Sequence, residues 1–433
     1  MRDILIVSIV LIGCAAALRR PWIGVMLWTW LSIMSPHRYA WGWAHDAPLA
    51  ACAAAATFIG LLVTRERESP FKSPAVVLFA VFTAWATLSW LLGFDPNGDY
   101  DRWNRMIKIN LMIIVALMLL HSKLHILALA WVVTGSLAIL GIKGGLFTLV
   151  SGGGYRVYGP PGSFIEDNNS FSLALVMTIP LVRFLQLQLR GVWVRWGMTA
   201  SIVLLAAAVF GSQSRGALLG LCAMGLLFWW RGRSRLVGGI FLAIAAISLV
   251  AFMPDSWSDR MATIRTYEQD SSAMGRIDAW LVAWNIALSH VTGAGFDIAK
   301  PWIFATFSAN PDAIPRAQHS IYFEVLGNHG FIGLFLFVAL WVVAWRSAGK
   351  LRLAAVKIPQ AKWCAELADM CQASLIGYAV GGAFLNLSYF DLPYNVMVLI
   401  VLTRTWVANR GWERERVTRW GARLVPGLAA GRA

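Results

Sequence analysis

Gln318-His319-Ser320 stands directly ahead of the apolar run Ile321 to Trp345 and closes a loop of more than sixty residues, Pro254 to Ser320. An imidazole in that position can accept a proton at a membrane surface. Guanidinium groups bind phosphate oxygens bidentately, and Arg156, Arg215, Arg265 and Arg276 recur in loops expected on the same side. A histidine facing such cations suits a transfer reaction on a lipid-linked anionic substrate.

Each cation has its own setting. Arg156 sits between Tyr155 and Tyr158, after the glycines Gly152 to Gly154 and before Pro160-Pro161. Glycines let backbone approach a ligand, and prolines stiffen the chain after them. That loop reads either as a rigid carrier of a cation and sugar-stacking rings, or as a turn capped by interfacial aromatics. Arg215 lies in the tight turn Ser212 to Gly216 between two strongly apolar segments. An arginine costs ~2.5–3.5 kcal/mol at mid-membrane, so anion binding is favoured there over simple snorkelling. Arg260 and Arg265 interleave with Trp257, Met261 and Ile264, and Arg276 opens a helix expected over Ala273 to Ser289. Arg265 or Arg276 reads as a diphosphate clamp, with headgroup anchoring as the bland alternative. In that helix Ile277, Trp280, Leu281, Trp284 and Leu288 form one apolar face suited to the bilayer surface.

After His319, the same segment carries Glu324, Asn328 and His329. Glu324 is expected to orient or charge-balance a neighbouring arginine, and His329 to be structural. Glu166 to Asn169 reads as a helix cap. Asp99-Tyr100-Asp101 matches the acidic pair that holds a divalent metal in many glycosyltransferases, but reads better as a solvated acidic loop. Nothing else resembles a metal cage, and the sequence has no HExxH, P-loop or GxSxG. No metal and no cofactor is expected.

The elements that must position these residues are membrane helices. Hydrophobic residues make up 58%, charged residues 14% and mean hydropathy is +0.62, which excludes an ordinary soluble domain. Apolar runs recur between short charged or Gly/Pro-rich stretches, as in a chain that satisfies its backbone hydrogen bonds segment by segment in lipid. The 23 tryptophans fit interfacial belts. The net charge of +15 falls largely in connecting loops, so it signals orientation and anionic lipid rather than nucleic acid. The five cysteines suggest neither a disulfide nor a zinc site. Leu11 to Cys14 resembles a lipoprotein cleavage box, but a retained first membrane segment reads better.

The fold class is all-α polytopic, with thirteen apolar segments: Ile4–Leu18, Trp22–Met34, Ala47–Val63, Ala75–Gly93, Met106–Leu120, Leu124–Gly141, Ser170–Leu185, Gly197–Ser212, Ala217–Trp230, Leu236–Met253, Ile321–Trp345, Cys371–Leu387 and Leu392–Val407. Basic loops at Arg65–Arg67, Arg190–Arg195, Arg231–Arg235 and Arg346–Lys362, and the tail after Arg404, should be cytoplasmic. The intervening loops then face the periplasm. Thirteen spans put the N-terminal end outside. If Ile4 to Met34 is one broken or interfacial unit around Arg19-Arg20-Pro21, twelve spans put both ends inside, and that reading is favoured. The organisation is therefore a bundle over 1–253, a periplasmic loop with helices over 254–320, a second bundle part over 321–407 and a basic tail over 408–433.

Gly159 to Phe164 through Asn168-Asn169, Ser212 to Leu218, Met274 to Trp280 with Gly293 to Phe296, and His319 to Gly333 together resemble the O-antigen ligase/O-antigen polymerase superfamily. The chain is most similar to the O-antigen ligases, including exosortase-associated O-glycosylation ligases. Many relatives carry His-Asn where this chain has His319-Ser320. The resemblance implies a twelve-span enzyme with both termini cytoplasmic and a large late periplasmic loop. It implies an inverting transfer of glycan from undecaprenyl diphosphate, without nucleotide or metal, to a sugar of the lipid A core. In that chemistry His319 would be the general base. Arg215 and Arg276, with Arg265 or Arg156, would hold the diphosphate, and Tyr155 and Glu324 would line the glycan. A polymerase, a protein O-glycosylation ligase and a lipid-linked glycan transporter are the competing readings.

Overall fold

A computed structural model describes residues 2–64, 66–232, 271–310 and 314–415, with Gly239, Ile247 and Ala251 as single positions between. All the secondary structure among these residues is helical. The helices are α1 (Arg2–Arg19), α2 (Pro21–Met34), α3 (Leu49–Val63), α4 (Pro74–Leu91), α5 (Tyr100–Leu119), α6 (Lys123–Val150), α7 (Asn168–Gln188), α8 (Val192–Gly211), α9 (Arg215–Arg231), α10 (Ser271–Ser289), α11 (Pro301–Phe307), α12 (Ile321–Ala355), α13 (Lys362–Gly381) and α14 (Asp391–Ala408). Twelve of the thirteen expected segments fall on these helices, and Leu236–Met253 lies outside the described residues. Five helices, α4, α6, α7, α8 and α12, are long and apolar enough to cross a membrane.

Several boundaries differ from expectation: α6 continues past Gly141 to Val150 and takes Lys143 into the helix, and α5 and α8 start earlier, at Tyr100 and Val192. The basic stretch Arg346–Lys362 is helical as far as Ala355, where α12 ends. The segment expected from Cys371 begins at Lys362 and stops at Gly381. In both places packing outweighs polarity: Ser347, Leu351 and Ala355 are buried, as are Trp363, Cys364 and Leu367.

The core is built around α7, α13 and α14, which are buried nearly all round. Small residues let helices meet closely. Gly220 of α9 faces Gly377 and Gly381 of α13, and a Cβ on Gly220 would come within 2.9 Å of the Gly377 carbonyl.

The molecule has two chemically distinct ends. At the basic end Arg231 pairs with Asp369 at 2.6 Å, Arg404 donates to Ser347, and Glu415 accepts from Lys123 N and Trp406. The other end carries the loops before α5, α7, α9, α12 and α14. There Asp99 accepts from Phe296 N at 2.6 Å and Lys300 Nζ at 2.8 Å, and Asn168 Nδ2 donates to the Ser212 carbonyl at 2.7 Å. Asp99 is 1% exposed, so the acidic pair is no solvated loop: Asp99 is a buried clamp between α5 and the 296–300 segment. Asp101, by contrast, is exposed on α5.

The first two helices depart from a single broken unit. They reverse at Arg20, Ala17 and Pro21 both abut Gly60 near the end of α3, and Asp3 accepts from Ala44 N at 3.2 Å. They form an antiparallel hairpin whose open end joins the 42–44 loop.

Candidate active site

His319 is held from both sides by main-chain hydrogen bonds. Trp280 Nε1 of α10 donates to the Gln318 carbonyl at 2.6 Å, and Ser320 N donates to Asn386 Oδ1 at 3.2 Å. The histidine has φ +46°, in the left-handed region that ordinary residues avoid. Gln318 and Ser320 are buried on either side, while His319 stays half-exposed. The turn between these buried neighbours leaves the histidine half-buried.

α10 is where the cations enter. Arg276 precedes Trp280 by four residues, so both lie on one helix face. Trp280 stacks on Phe323 of α12 with centroids 4.8 Å apart, and Ala279, Val282, Ala283 and Ile286 are fully buried. Leu281, Trp284 and Leu288 stay 45–65% exposed, so this part of the apolar face expected from periodicity is turned outward, while Trp280 turns inward and Ala279, Val282, Ala283 and Ile286 pack the helix. Arg316 lies over Gly275, where a Cβ would come within 2.6 Å of its Cδ. Burial first, and then Arg276 and Arg316, lower the His319 pKa below the usual imidazole range, against Asp167, which raises it. Arg276, Arg316 and Asp167 therefore all act on one imidazole.

Asp167 has two jobs. It caps α7, its Oδ1 accepting from Asn169 N at 2.9 Å and Ser170 N at 3.1 Å, as expected of a helix start. Its negative charge also favours the protonated form of His319.

Arg215 is the first residue of α9, whose cap is Ser214. Gly216 behind it abuts Phe384 and the Gly381 carbonyl, and Ile321 abuts Gly382. The turn after α13 thus lies against both the start of α9 and the start of α12. Arg156 donates from Nε to Gln213 Oε1 at 3.3 Å, which ties the glycine-rich loop to the Arg215 turn. Tyr155 goes elsewhere: it is 70% exposed and leans on Phe147 of α6, with centroids 6.5 Å apart. Arg260 and Arg265 lie outside the described residues.

Glu324 does not balance an arginine by direct contact among the described residues. Its Oε2 accepts from Ser388 Oγ at 2.6 Å and Ser388 N at 3.3 Å, which fastens α12 to the segment before α14. His329 is fully buried, as a structural residue should be, and shares a 2.8 Å hydrogen bond with the Tyr389 hydroxyl. Among the described residues no three His, Cys, Asp or Glu side chains gather as a metal site.

Sequence reasoning missed Arg316, Asn386 and the charge role of Asp167. Arg316 is three residues from His319 and was open to view. Asn386, sixty-six residues from Ser320, left no local signal.

Two family models match the chain. Residues 1–189 match a family of unknown function, DUF5935, and residues 200–338 match O-antigen ligase. No curated protein matches it. The second match runs from α8 into α12 and takes in Arg215, Arg276, Arg316 and His319, so residues 200–338 are similar to the O-antigen ligase family.

Proposed function

We propose that this membrane enzyme transfers a glycan from undecaprenyl diphosphate to a sugar hydroxyl of the lipid A core, on the periplasmic face of a bacterial inner membrane. The acceptor oxygen attacks the anomeric carbon from the face opposite the leaving group, and the carbon–oxygen bond to the diphosphate breaks with inversion. His319 takes the acceptor proton, and undecaprenyl diphosphate departs with the bonding electrons. Arg215 and Arg276, with Arg156 or Arg265, hold the charge that develops on the leaving group; fixed cations at a partly dehydrated site stabilise such charge strongly. The reaction needs neither nucleotide nor metal, because the diphosphate already leaves well once its charge is held.

The observation that carries this reading is the setting of His319. A general base must be unprotonated when it acts, and burial beside Arg276 and Arg316 favours the neutral imidazole at neutral pH. The same guanidiniums suit a phosphate-bearing donor. Glu324, engaged by Ser388, serves in this reading to seat the start of α12 rather than to touch glycan.

The test is reconstitution of the purified protein with lipid-linked glycan, offered rough lipopolysaccharide, a second lipid-linked repeat or a protein hydroxyl in separate reactions. Modification of lipopolysaccharide in the presence of chelator, lost by about 10²–10⁴-fold in His319→Ala, is the expected result. Product on the second repeat would make the protein a polymerase, and product on protein a protein O-glycosylation ligase. Undiminished transfer by His319→Ala would remove the base assignment, and passage of lipid-linked glycan across vesicles without covalent product would make it a transporter.

A further inference from the structure

At the basic end, away from the loops that carry His319, a cleft of about 460 Å³ opens between the segment before α4, the turn from α5 to α6 and the end of α14. That volume falls within the ~300–1,000 Å³ of ligand sites. Leu117, Leu120, Val401 and Leu402 line it, and all four are buried. Lys72, Arg404 and Arg414 line it too, and all three are exposed. An apolar floor from the ends of α5 and α14 thus meets cations brought by separate stretches of chain.

Those cations are not spent within the protein. None of the three forms an ion pair among the described residues. Arg404 donates to Ser347 Oγ at 3.2 Å, and the side chains of Lys72 and Arg414 have no described partner. Two carboxylates, Glu68 and Glu415, share the lining. Glu415 is occupied, its Oε1 accepting from Lys123 N at 2.9 Å and from Trp406 Nε1 at 2.6 Å. Three cations against two carboxylates leave one positive charge in excess. His121 lines the cleft as well, and its Nε2 is shielded from solvent with no hydrogen-bond partner among the described residues. A buried ring nitrogen left without a partner is costly, and an oxygen supplied from outside the chain would offset that cost. The chain's own tail has the wrong charge for the role: after Glu415 it carries Arg416, Arg419, Arg423 and Arg432 and no acidic residue.

We propose that this cleft binds an anionic phospholipid, with its phosphodiester on Lys72, Arg404, Arg414 and His121 and the start of an acyl chain laid on Leu117, Leu120, Val401 and Leu402. One excess positive charge matches the single negative charge of such a headgroup, and a zwitterionic lipid has no net charge to offer. Cations gathered where helices leave a bilayer attract anionic lipid, and the apolar floor favours a lipid over a free phosphate. The bound lipid bridges the α3–α4 connection, the α5–α6 turn and the end of α14, so it braces the bundle at the end away from the chemistry. The site uses none of the residues assigned to glycan transfer and does not rest on that reaction.

The test titrates full-length protein in detergent with dioctanoyl phosphatidylglycerol, dioctanoyl phosphatidylcholine or inorganic phosphate, counting bound lipid by native mass spectrometry and following the melting temperature. Phosphatidylglycerol should bind about tenfold or more tightly than phosphatidylcholine and should raise the melting temperature. Lys72→Gln/Arg414→Gln should weaken that binding by about tenfold, and Lys72→Arg/Arg414→Lys, which keeps both charges, should retain it. His319→Ala and Arg156→Gln, at the opposite end, should bind phosphatidylglycerol as wild type does. Unchanged binding in the double glutamine variant, equal affinity for phosphatidylcholine, or an equal melting shift with inorganic phosphate would overturn the proposal. Loss of phosphatidylglycerol binding in His319→Ala or Arg156→Gln would overturn it too, because the lipid would then sit at the transfer site.

Discussion

His319 occupies backbone that suits glycine better than histidine. At φ +46° a side chain costs roughly 1–2 kcal/mol over a right-handed residue, and the hydrogen bonds from Trp280 and to Asn386 hold the turn in place. Residues kept in such conformations concentrate at working sites. Two variants separate strain from chemistry. His319→Gly should melt at a higher temperature than His319→Ala, by the equivalent of about 1 kcal/mol, because glycine removes the left-handed penalty, while both lose the base. Equal melting of the two would mean the turn relaxes when the imidazole is gone. The pH dependence has a definite sign. Arg316 disfavours the protonated imidazole, so Arg316→Gln should raise the His319 pKa toward its ordinary value. The acid limb of the transfer rate against pH then moves to higher pH, with the rate on the alkaline plateau little changed. A limb that stays put, or moves to lower pH, would show that Arg316 does not act on the base. At this scale the sequence was partly legible. His319 and Arg276 were visible as polar residues beside apolar runs, whereas Asp167 read only as a cap because its second role depends on where α12 begins.

At the scale of elements, the segment between α13 and α14 fastens α12 from behind. Asn386 takes the Ser320 amide, Ser388 bonds both Glu324 and the Ile321 carbonyl, and Tyr389 reaches His329 and Asn328. Ser388→Ala would leave Glu324 with one donor fewer in a dry contact and should cost about 1–3 kcal/mol of stability, read as a lowered melting temperature in detergent. Ser388→Thr keeps the hydroxyl and should recover most of the loss; if it fails to, crowding rather than hydrogen bonding governs the position. α12 is also broken in a way that its apolar run concealed. Gly330 has φ +67° and ψ −172° inside the helix, and the freed carbonyls of Gly327 and Asn328 accept from Ala294 N and Gly295 N at 3.0 Å each. Hydropathy shows a continuous span from Ile321 to Trp345 because it counts side chains, while the break is made by backbone donors arriving from the 293–295 turn. Gly330→Ala would bring a Cβ within 2.2 Å of the Val291 carbonyl besides forcing the left-handed backbone, and it should destabilise by more than the roughly 1 kcal/mol of an unhindered glycine replacement.

Taken as a whole, the molecule sorts its charge by end, and this decides how α1 enters. Arg19, Arg20 and the end of α3 lie together, as Ala17 and Pro21 pack against Gly60, while Asp3 holds the Ala44 amide and Arg2 lies over the Trp41 ring at 5.4 Å. Basic residues favour the cytoplasmic side. We therefore predict that the hairpin sets Arg19-Arg20 inward and Arg2 outward. The charge of the loops gives a self-consistent expected order for the segments from Ala47 onward; the first pair is ambiguous because α2 has only 14 residues and a proline at its start, so length and hydropathy do not say whether it crosses or continues. Packing adds what composition lacked: two helices that share Gly13–Leu27 and Ala17–Gly24 contacts run antiparallel. The prediction uses a protein freed of its cysteines at 14, 52, 222, 364 and 371, all of them unpaired thiols. In intact spheroplasts a membrane-impermeant maleimide should label Arg2→Cys, and Glu66→Cys only after permeabilisation. Labelling of Arg2→Cys that also waits for permeabilisation would put both ends of the chain inside, and the hairpin would then have to lie within one leaflet rather than cross the bilayer.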